Sequence, residues 1–113
     1  NGKSTSRCFM NRLLLENKEL THIPLLEGEE RLKLLSLKHN KIDKIQNLVS
    51  LPNLIYLDLY DNQISEIENL NSVPTLRVLM IAKNRITRIS GLESLHKLDV
   101  LDFIAISSQE LMG

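Results

Sequence analysis

The sequence predicts a curved α/β solenoid, with parallel strands along a concave face and short helices or 3₁₀ turns along a convex face. Three consecutive blocks of 22 residues carry this prediction: 32–53, 54–75 and 76–97. All three fit one template, LxxLxLxxNxIxxIxxLxxLxx, with exchanges only among leucine, isoleucine and valine at its apolar positions. A fixed repeat of this length means that each unit buries its apolar side against its neighbours.

The template continues on both sides of these blocks. Twenty-two residues before Leu32 lies Met10, and the apolar positions recur after it, except that Glu29 replaces the last leucine and Lys18 replaces the asparagine. This leucine and asparagine spacing is the sequence signature of a leucine-rich repeat. We therefore predict a polar leader at 1–9, a leucine-rich-repeat domain at 10–103 (repeats 10–31, 32–53, 54–75, 76–97 and a partial repeat 98–103) and an atypical tail at 104–113.

Each half of the template predicts a different local structure. Alternation in LxLxx favours a short strand with template positions 4 and 6, such as Leu35 and Leu37, facing inward. Apolar residues at every third position of the second half favour a 3₁₀ turn or short helix. The asparagine at position 9 follows the strand, where its amide can bind backbone groups of its own turn and of a neighbouring turn. The predicted structural asparagine ladder is Asn40, Asn62 and Asn84.

The concave face is the predicted binding surface. Template positions 3, 5, 7 and 8 point outward if positions 4 and 6 point inward. The position-3 column is apolar across four strands and has polar columns beside it, and the two tyrosines of the chain fall on this face. The alternative is ordinary cross-strand packing that only stabilises the sheet. The predicted partner-binding residues are Leu34, Lys38, Tyr56, Asp58, Tyr60, Val78, Met80, Lys83, Val100 and Asp102.

Other classes of function find little support in the sequence. Lys plus Arg and Asp plus Glu both number 14, which weighs against nucleic-acid binding. No apolar run reaches the roughly 18 residues of a membrane span, and no signal peptide is visible. The chain lacks a glycine-rich phosphate loop, and its three histidines fall at different template positions. We therefore expect no catalytic residues, no metal site and no cofactor, and the protein is not expected to be an enzyme.

Cysteine usage bears on the compartment. Cys8 is the single cysteine, so no internal disulfide can form, and no Asn-x-Ser/Thr sequon occurs. Both features favour a reducing, cytoplasmic environment.

The tail predicts an open strand edge. The template requires asparagine at position 106 and an apolar residue at 108, but the chain has Ile106 and Ser108. An unprotected edge carrying Ile104 and Ile106 predicts self-association.

Two family resemblances add expectations about partners. The blocks LSLKHNKIDKIQNL, LDLYDNQISEIENL and LMIAKNRITRISGL resemble the repeats of the type-one protein phosphatase regulatory subunit family. The longer stretches IPLLEGEERLKLLSLKHNKI and LRVLMIAKNRITRISGLESLHKLDVLDF are similar to the leucine-rich-repeat subunit of the tubulin polyglutamylase complex. The second resemblance implies a non-catalytic scaffold at microtubules, centrioles or cilia that binds subunits of a tubulin-modifying complex. The first implies a regulatory subunit that holds a phosphatase catalytic subunit on its concave face.

Overall fold

The computed structural model describes residues 8–9 and 11–105, and these residues form one six-stranded sheet. The strands lie side by side in chain order, so each repeat contributes one strand and stacks on the repeat before it. The first pair is antiparallel and every later pair is parallel. The strands are β1 (Cys8–Phe9), β2 (Arg12–Leu14), β3 (Leu34–Ser36), β4 (Tyr56–Asp58), β5 (Val78–Met80) and β6 (Val100–Asp102).

The register of the parallel strands reproduces the 22-residue template. Leu34 lies opposite Tyr56, Tyr56 lies opposite Val78, and Val78 lies opposite Val100. Equal template positions therefore form straight columns across the sheet. This geometry confirms the predicted solenoid of parallel strands.

The convex side contains no helix within the described residues, so the predicted short helices or 3₁₀ segments are wrong in detail. Single turns replace them: the Val73 amide donates to the Leu70 carbonyl (3.1 Å), and the Leu76 amide donates to the Val73 carbonyl (3.2 Å). A continuous right-handed helix would need negative φ throughout, and left-handed residues interrupt each segment. These residues are Asn47 (φ 65°), Ser50 (φ 61°), Asn69 (φ 61°) and Gly91 (φ 78°). In the same part of the chain, no helix is long and apolar enough to cross a membrane.

β1 lies within the segment expected to be a polar leader. It pairs antiparallel with β2, with Phe9 opposite Arg12. An antiparallel pair needs only a tight turn between its strands, so it leaves no trace in a 22-residue period. The pairing covers the outer edge of β2. Residues 1–7, residue 10 and residues 106–113, with most of the predicted tail, lie outside the described residues.

The core is a stack of aliphatic layers inside the solenoid. Leu35, Leu57 and Leu79 are fully buried at one template position of three successive strands. The layers open toward the last repeat, where Ile89 is 52% exposed although its counterpart Ile45 is fully buried. An inner repeat packs between two neighbours, and within the described residues the fourth repeat is followed only by residues 98–105, which include β6.

Gly91 is the glycine whose hydrogen side chain the fold requires. It has φ of 78°, and a Cβ atom there would lie 2.0 Å from the Ile67 carbonyl oxygen. Gly28 has the same φ, but a Cβ atom there would meet nothing within 4 Å. The two glycines therefore share the backbone conformation and differ in the close contact.

We expect Gly91→Ala to lower the free energy of unfolding by about 2–4 kcal/mol, because it adds a steric clash to the strain of a left-handed residue. Gly28→Ala is the matched control and should cost only about 1 kcal/mol, from the backbone strain alone. Urea denaturation followed by circular dichroism measures both values. Equal losses in the two variants would contradict a specific role for the contact between Gly91 and the Ile67 carbonyl.

Candidate protein-binding face

The asparagine at template position 9 joins neighbouring repeats. Asn62 is 7% exposed, and its Nδ2 donates to the carbonyls of Leu37 (3.0 Å) and Leu59 (3.1 Å). Its Oδ1 accepts a hydrogen bond from the Ile42 amide (3.0 Å). One side chain thus binds the end of its own strand and the turn of the preceding repeat. Asn40 and Asn84 make the corresponding bonds, to the carbonyls of Leu15 and Leu37 and to those of Leu59 and Ile81.

In each of the four repeats, the residue before template position 9 turns the chain at the end of the strand. All four such residues have positive φ, which asparagine, aspartate and histidine adopt more readily than other non-glycine residues. This turn places their side chains along one margin of the concave face. They are Asn17 (φ 55°), His39 (φ 62°), Asp61 (φ 61°) and Lys83 (φ 58°).

Two of these side chains pair across the repeats. His39 Nδ1 lies 2.7 Å from Asp61 Oδ2. The His39 ring also meets the Tyr60 ring edge-on, with centroids 5.7 Å apart and an interplanar angle of 85°. The Tyr60 ring is therefore held by a neighbouring repeat, which lowers the entropy that it would lose when a partner binds.

The predicted apolar column runs along the concave face as a partly covered strip. Leu34, Tyr56 and Val78 are half-buried, and Val100 is 47% exposed. Beside this strip, the predicted residues Lys38, Tyr60, Met80 and Asp102 are half-buried and Lys83 is exposed. The cross-strand contacts of the strip stabilise the sheet, and the surface that they leave open is available to a partner.

Two residues at template position 5 are less exposed than the alternation of the strands predicted. Ser36 and Asp58 keep only 3% and 9% of their surface exposed. Alternation gives the direction of a side chain but not the crowding around it. Ser36 Oγ donates to Glu16 Oε2 (2.7 Å), while Asp58 Oδ1 accepts from the Tyr60 amide (3.0 Å).

Burial raises the pKa of the Asp58 carboxyl group above its ordinary value. The hydrogen bond from the Tyr60 amide and the charge of Lys38 lower this pKa, but they do not outweigh the loss of solvent. The negative charges of Asp102 and Glu16 raise it further. Asp58 is thus a carboxyl group whose ionised form is disfavoured at the centre of the face.

A second set of asparagine bonds on the convex side escaped the sequence reasoning. Asn47 Nδ2 donates to the Ile23 carbonyl (2.8 Å), and Asn69 Nδ2 donates to the Ile45 carbonyl (2.7 Å). Gly91 occupies the same template position in the next repeat. Asparagine, asparagine and glycine at one position were the available signal, because these residues tolerate positive φ best.

The side chains on the concave face resemble those of protein-binding surfaces. Among residues 8–9 and 11–105, no three His, Cys, Asp or Glu side chains lie together as a metal site would require. The face offers instead aromatic rings, an apolar strip and hydrogen-bonding groups, which are the components of protein interfaces.

Parallel strands in a 22-residue register, joined by an asparagine ladder, define the class of fold as a leucine-rich-repeat solenoid. A family profile described as Leucine Rich repeats (2 copies) matches residues 30–72. The chain is 54% identical over 48 residues to mouse Leucine-rich repeat-containing protein 49 and 53% identical over 47 residues to the human protein of that name. Each match covers 42% of this chain and 7% of the relative, so the chain spans a small part of these relatives.

Solved structures share the fold. A structure of the Drosophila melanogaster SNF/U2A' complex superposes with a TM-score of 0.69 at 30% identity, over 80% of this chain and 55% of that chain. Internalin C2 from Listeria monocytogenes gives a TM-score of 0.70 at 29% identity, over 90% of this chain and 47% of that chain. Internalin F from the same bacterium gives 0.60 at 37% identity, over 67% and 22%.

We expect Asn62→Ala to lower the free energy of unfolding by about 1–3 kcal/mol, because it leaves buried backbone groups without their partner. Gln63→Ala changes the exposed neighbouring amide and is the matched control, with an expected change within about 0.5 kcal/mol. Chemical denaturation measures both. A loss for Asn62→Ala no larger than that of its control would show that the ladder contributes nothing to stability.

We expect Asp58→Asn to raise the melting temperature at pH 7. The amide oxygen can still accept the bond from the Tyr60 amide, and no charge is buried. Because the folded-state pKa of Asp58 is raised, the fold has its full stability below the unfolded pKa of about 3.9. Part of that stability is lost as the pH rises through the folded-state pKa. The advantage of Asp58→Asn should therefore shrink as the pH is lowered toward that value.

Thermal melts at several pH values measure this dependence. Asp43→Asn, at an exposed position, is the control and should show little change at any of them. A lower melting temperature for Asp58→Asn at pH 7 would mean that the fold stabilises the charge.

Proposed function

We propose that the chain is a non-catalytic interaction module whose concave face binds a protein partner. The column Leu34, Tyr56, Val78 and Val100 carries this proposal, because one register brings four apolar side chains into a continuous strip with a polar margin. Apolar strips with polar rims are typical of protein interfaces. Leucine-rich repeat proteins serve as scaffolds for such contacts, and one similar fold comes from the structure of a complex.

The residue types on the face favour partner binding and not only packing within the sheet. Tyr56, Tyr60 and Met80 are half-buried on it, and aromatic residues and methionine are enriched at interfaces. Tyrosines that fill partner pockets are frequent hot spots. Tyr60 is already oriented by the His39 ring, so it resembles a rigid anchor more than a mobile surface side chain.

The partner class that we favour belongs to microtubule or cilium-related assembly and tubulin modification. The 54% identity over 48 residues to mouse Leucine-rich repeat-containing protein 49 supports this choice, together with the resemblance of the repeats to a tubulin polyglutamylase subunit. A cytoplasmic location at the cytoskeleton, centrosome or cilium follows from the same proposal.

Self-association through the edge of β6 is a further prediction. Ile104 is 70% exposed just after that strand, whereas Ile106 lies outside the described residues. Light scattering across a concentration series measures it, and an unchanged monomer mass at high concentration would contradict it.

We expect the double substitution Tyr56→Ala, Tyr60→Ala to weaken partner capture at least tenfold, because truncating a hot-spot residue costs about 2 kcal/mol or more. The double substitution Leu25→Ala, Val49→Ala removes exposed apolar side chains outside the strands and should leave capture unchanged. Quantitative mass spectrometry on material captured from ciliated cells measures both, with melting curves to verify folding.

Recovery of tubulin-modifying subunits that the tyrosine variant loses would support the proposal. Recovery of a phosphatase catalytic subunit in their place would favour a phosphatase regulatory subunit. Undiminished capture by a folded tyrosine variant would rule out the concave face as the docking surface.

A further inference from the structure

Asp58 is an unusual carboxylate for a binding face. It lies on β4 between the two tyrosines, near the middle of the concave face, and is 9% exposed. One carboxylate oxygen accepts from the Tyr60 amide. Within the part of the chain that the structure describes, no hydrogen bond or ion pair reaches its second oxygen. A carboxylate offers about four acceptor sites, so most of its capacity is unused.

That second oxygen keeps some exposure to solvent. Among the described residues, every fully enclosed side-chain nitrogen or oxygen has a hydrogen-bond partner. The unpartnered oxygen of Asp58 is therefore not sealed in the core, although most of the side chain is covered.

Other carboxylates on the face already have partners. Glu16 accepts from the Ser36 hydroxyl, and Asp61 pairs with His39. Asp102 Oδ1 accepts from two backbone amides, including that of Ala82 at 2.9 Å. Asp58 likewise has one bonded oxygen, which accepts from a backbone amide, but it is the most deeply buried of these carboxylates.

No cation of the described chain completes the Asp58 site. The positive charge of Lys38 acts on Asp58, but the ion pairs of the described residues are His39–Asp61, Glu19–Lys41 and Arg77–Asp99. The negative charges of Glu16 and Asp102 also act on Asp58. The local field therefore favours the arrival of a further positive charge.

We propose that Asp58 is the anchor of a cation subsite on the concave face, which receives an arginine side chain of the bound partner. This proposal rests on the proposed function, because it specifies one contact of the same face. A guanidinium group can donate to the free carboxylate oxygen and lie against a tyrosine ring, and it loses less hydration than a lysine ammonium group. Burial of Asp58 strengthens such a bond by excluding water.

The first test uses Nα-acetyl-arginine amide as the probe and Nα-acetyl-citrulline amide as its neutral counterpart. Both are titrated into the complete 113-residue chain, with NMR detection of the Asp58 carboxylate carbon and the Tyr60 amide. We expect saturable shifts with the arginine probe and an affinity at least fivefold weaker for citrulline. Asp58→Asn should remove this preference, whereas Asp43→Asn should retain it. Equal binding of the two probes, or an undiminished preference in Asp58→Asn, would overturn the proposal.

The second test separates this subsite from the docking face as a whole. We expect Asp58→Asn to weaken partner capture at least fivefold while its melting temperature is unchanged or higher. Loss of capture in Tyr56→Ala, Tyr60→Ala together with full capture by Asp58→Asn would overturn the arginine subsite and leave the docking face intact. Full capture by both variants would overturn both proposals.

Discussion

The amide of the ladder asparagine is the contact on which the rest of this structure depends. Each parallel strand is three residues long, too short to fix its own register through strand pairing alone. Asn62 adds donors to two carbonyls and an acceptor for an amide of the preceding repeat. It thereby fixes where the strand ends and where the next turn begins. Because a buried amide without these partners would be costly, the repeats are held to one register.

A fixed register converts template positions into surface columns. Leu34, Tyr56 and Val78 become one strip because the ladder aligns their strands, and no contact among the three side chains is needed to bring them together. The left-handed turn beside each ladder residue works in the same way: it aligns His39 with Asp61. The exposed side chains of these columns can therefore change without loss of the fold, since the template leaves their positions free.

The 22-residue period predicted the features of the fold that depend only on residue spacing. Inward residues such as Leu35, the parallel register and the ladder asparagines all follow from spacing, because spacing determines which side chains face the core. The antiparallel strand Cys8–Phe9 does not, since its pairing with β2 lies outside the 22-residue period. The convex turns and the burial of Asp58 depend on backbone conformation and crowding. Asn47 and Asn69 at one template position were a local signal for those turns that the leucine pattern obscured.

Asp58 occupies a position that the template leaves free, and a buried charge there does not favour folding. Its neighbours in the same column are Ser36 and Met80, so the fold does not require an acid there. An acid is nevertheless present where burial disfavours its charge and one backbone amide is its hydrogen-bond partner. Groups that lower the stability of a fold and that the fold does not require tend to occur where a protein binds or reacts. The position of Asp58 on β4, between Tyr56 and Tyr60, is therefore where we place the proposed subsite.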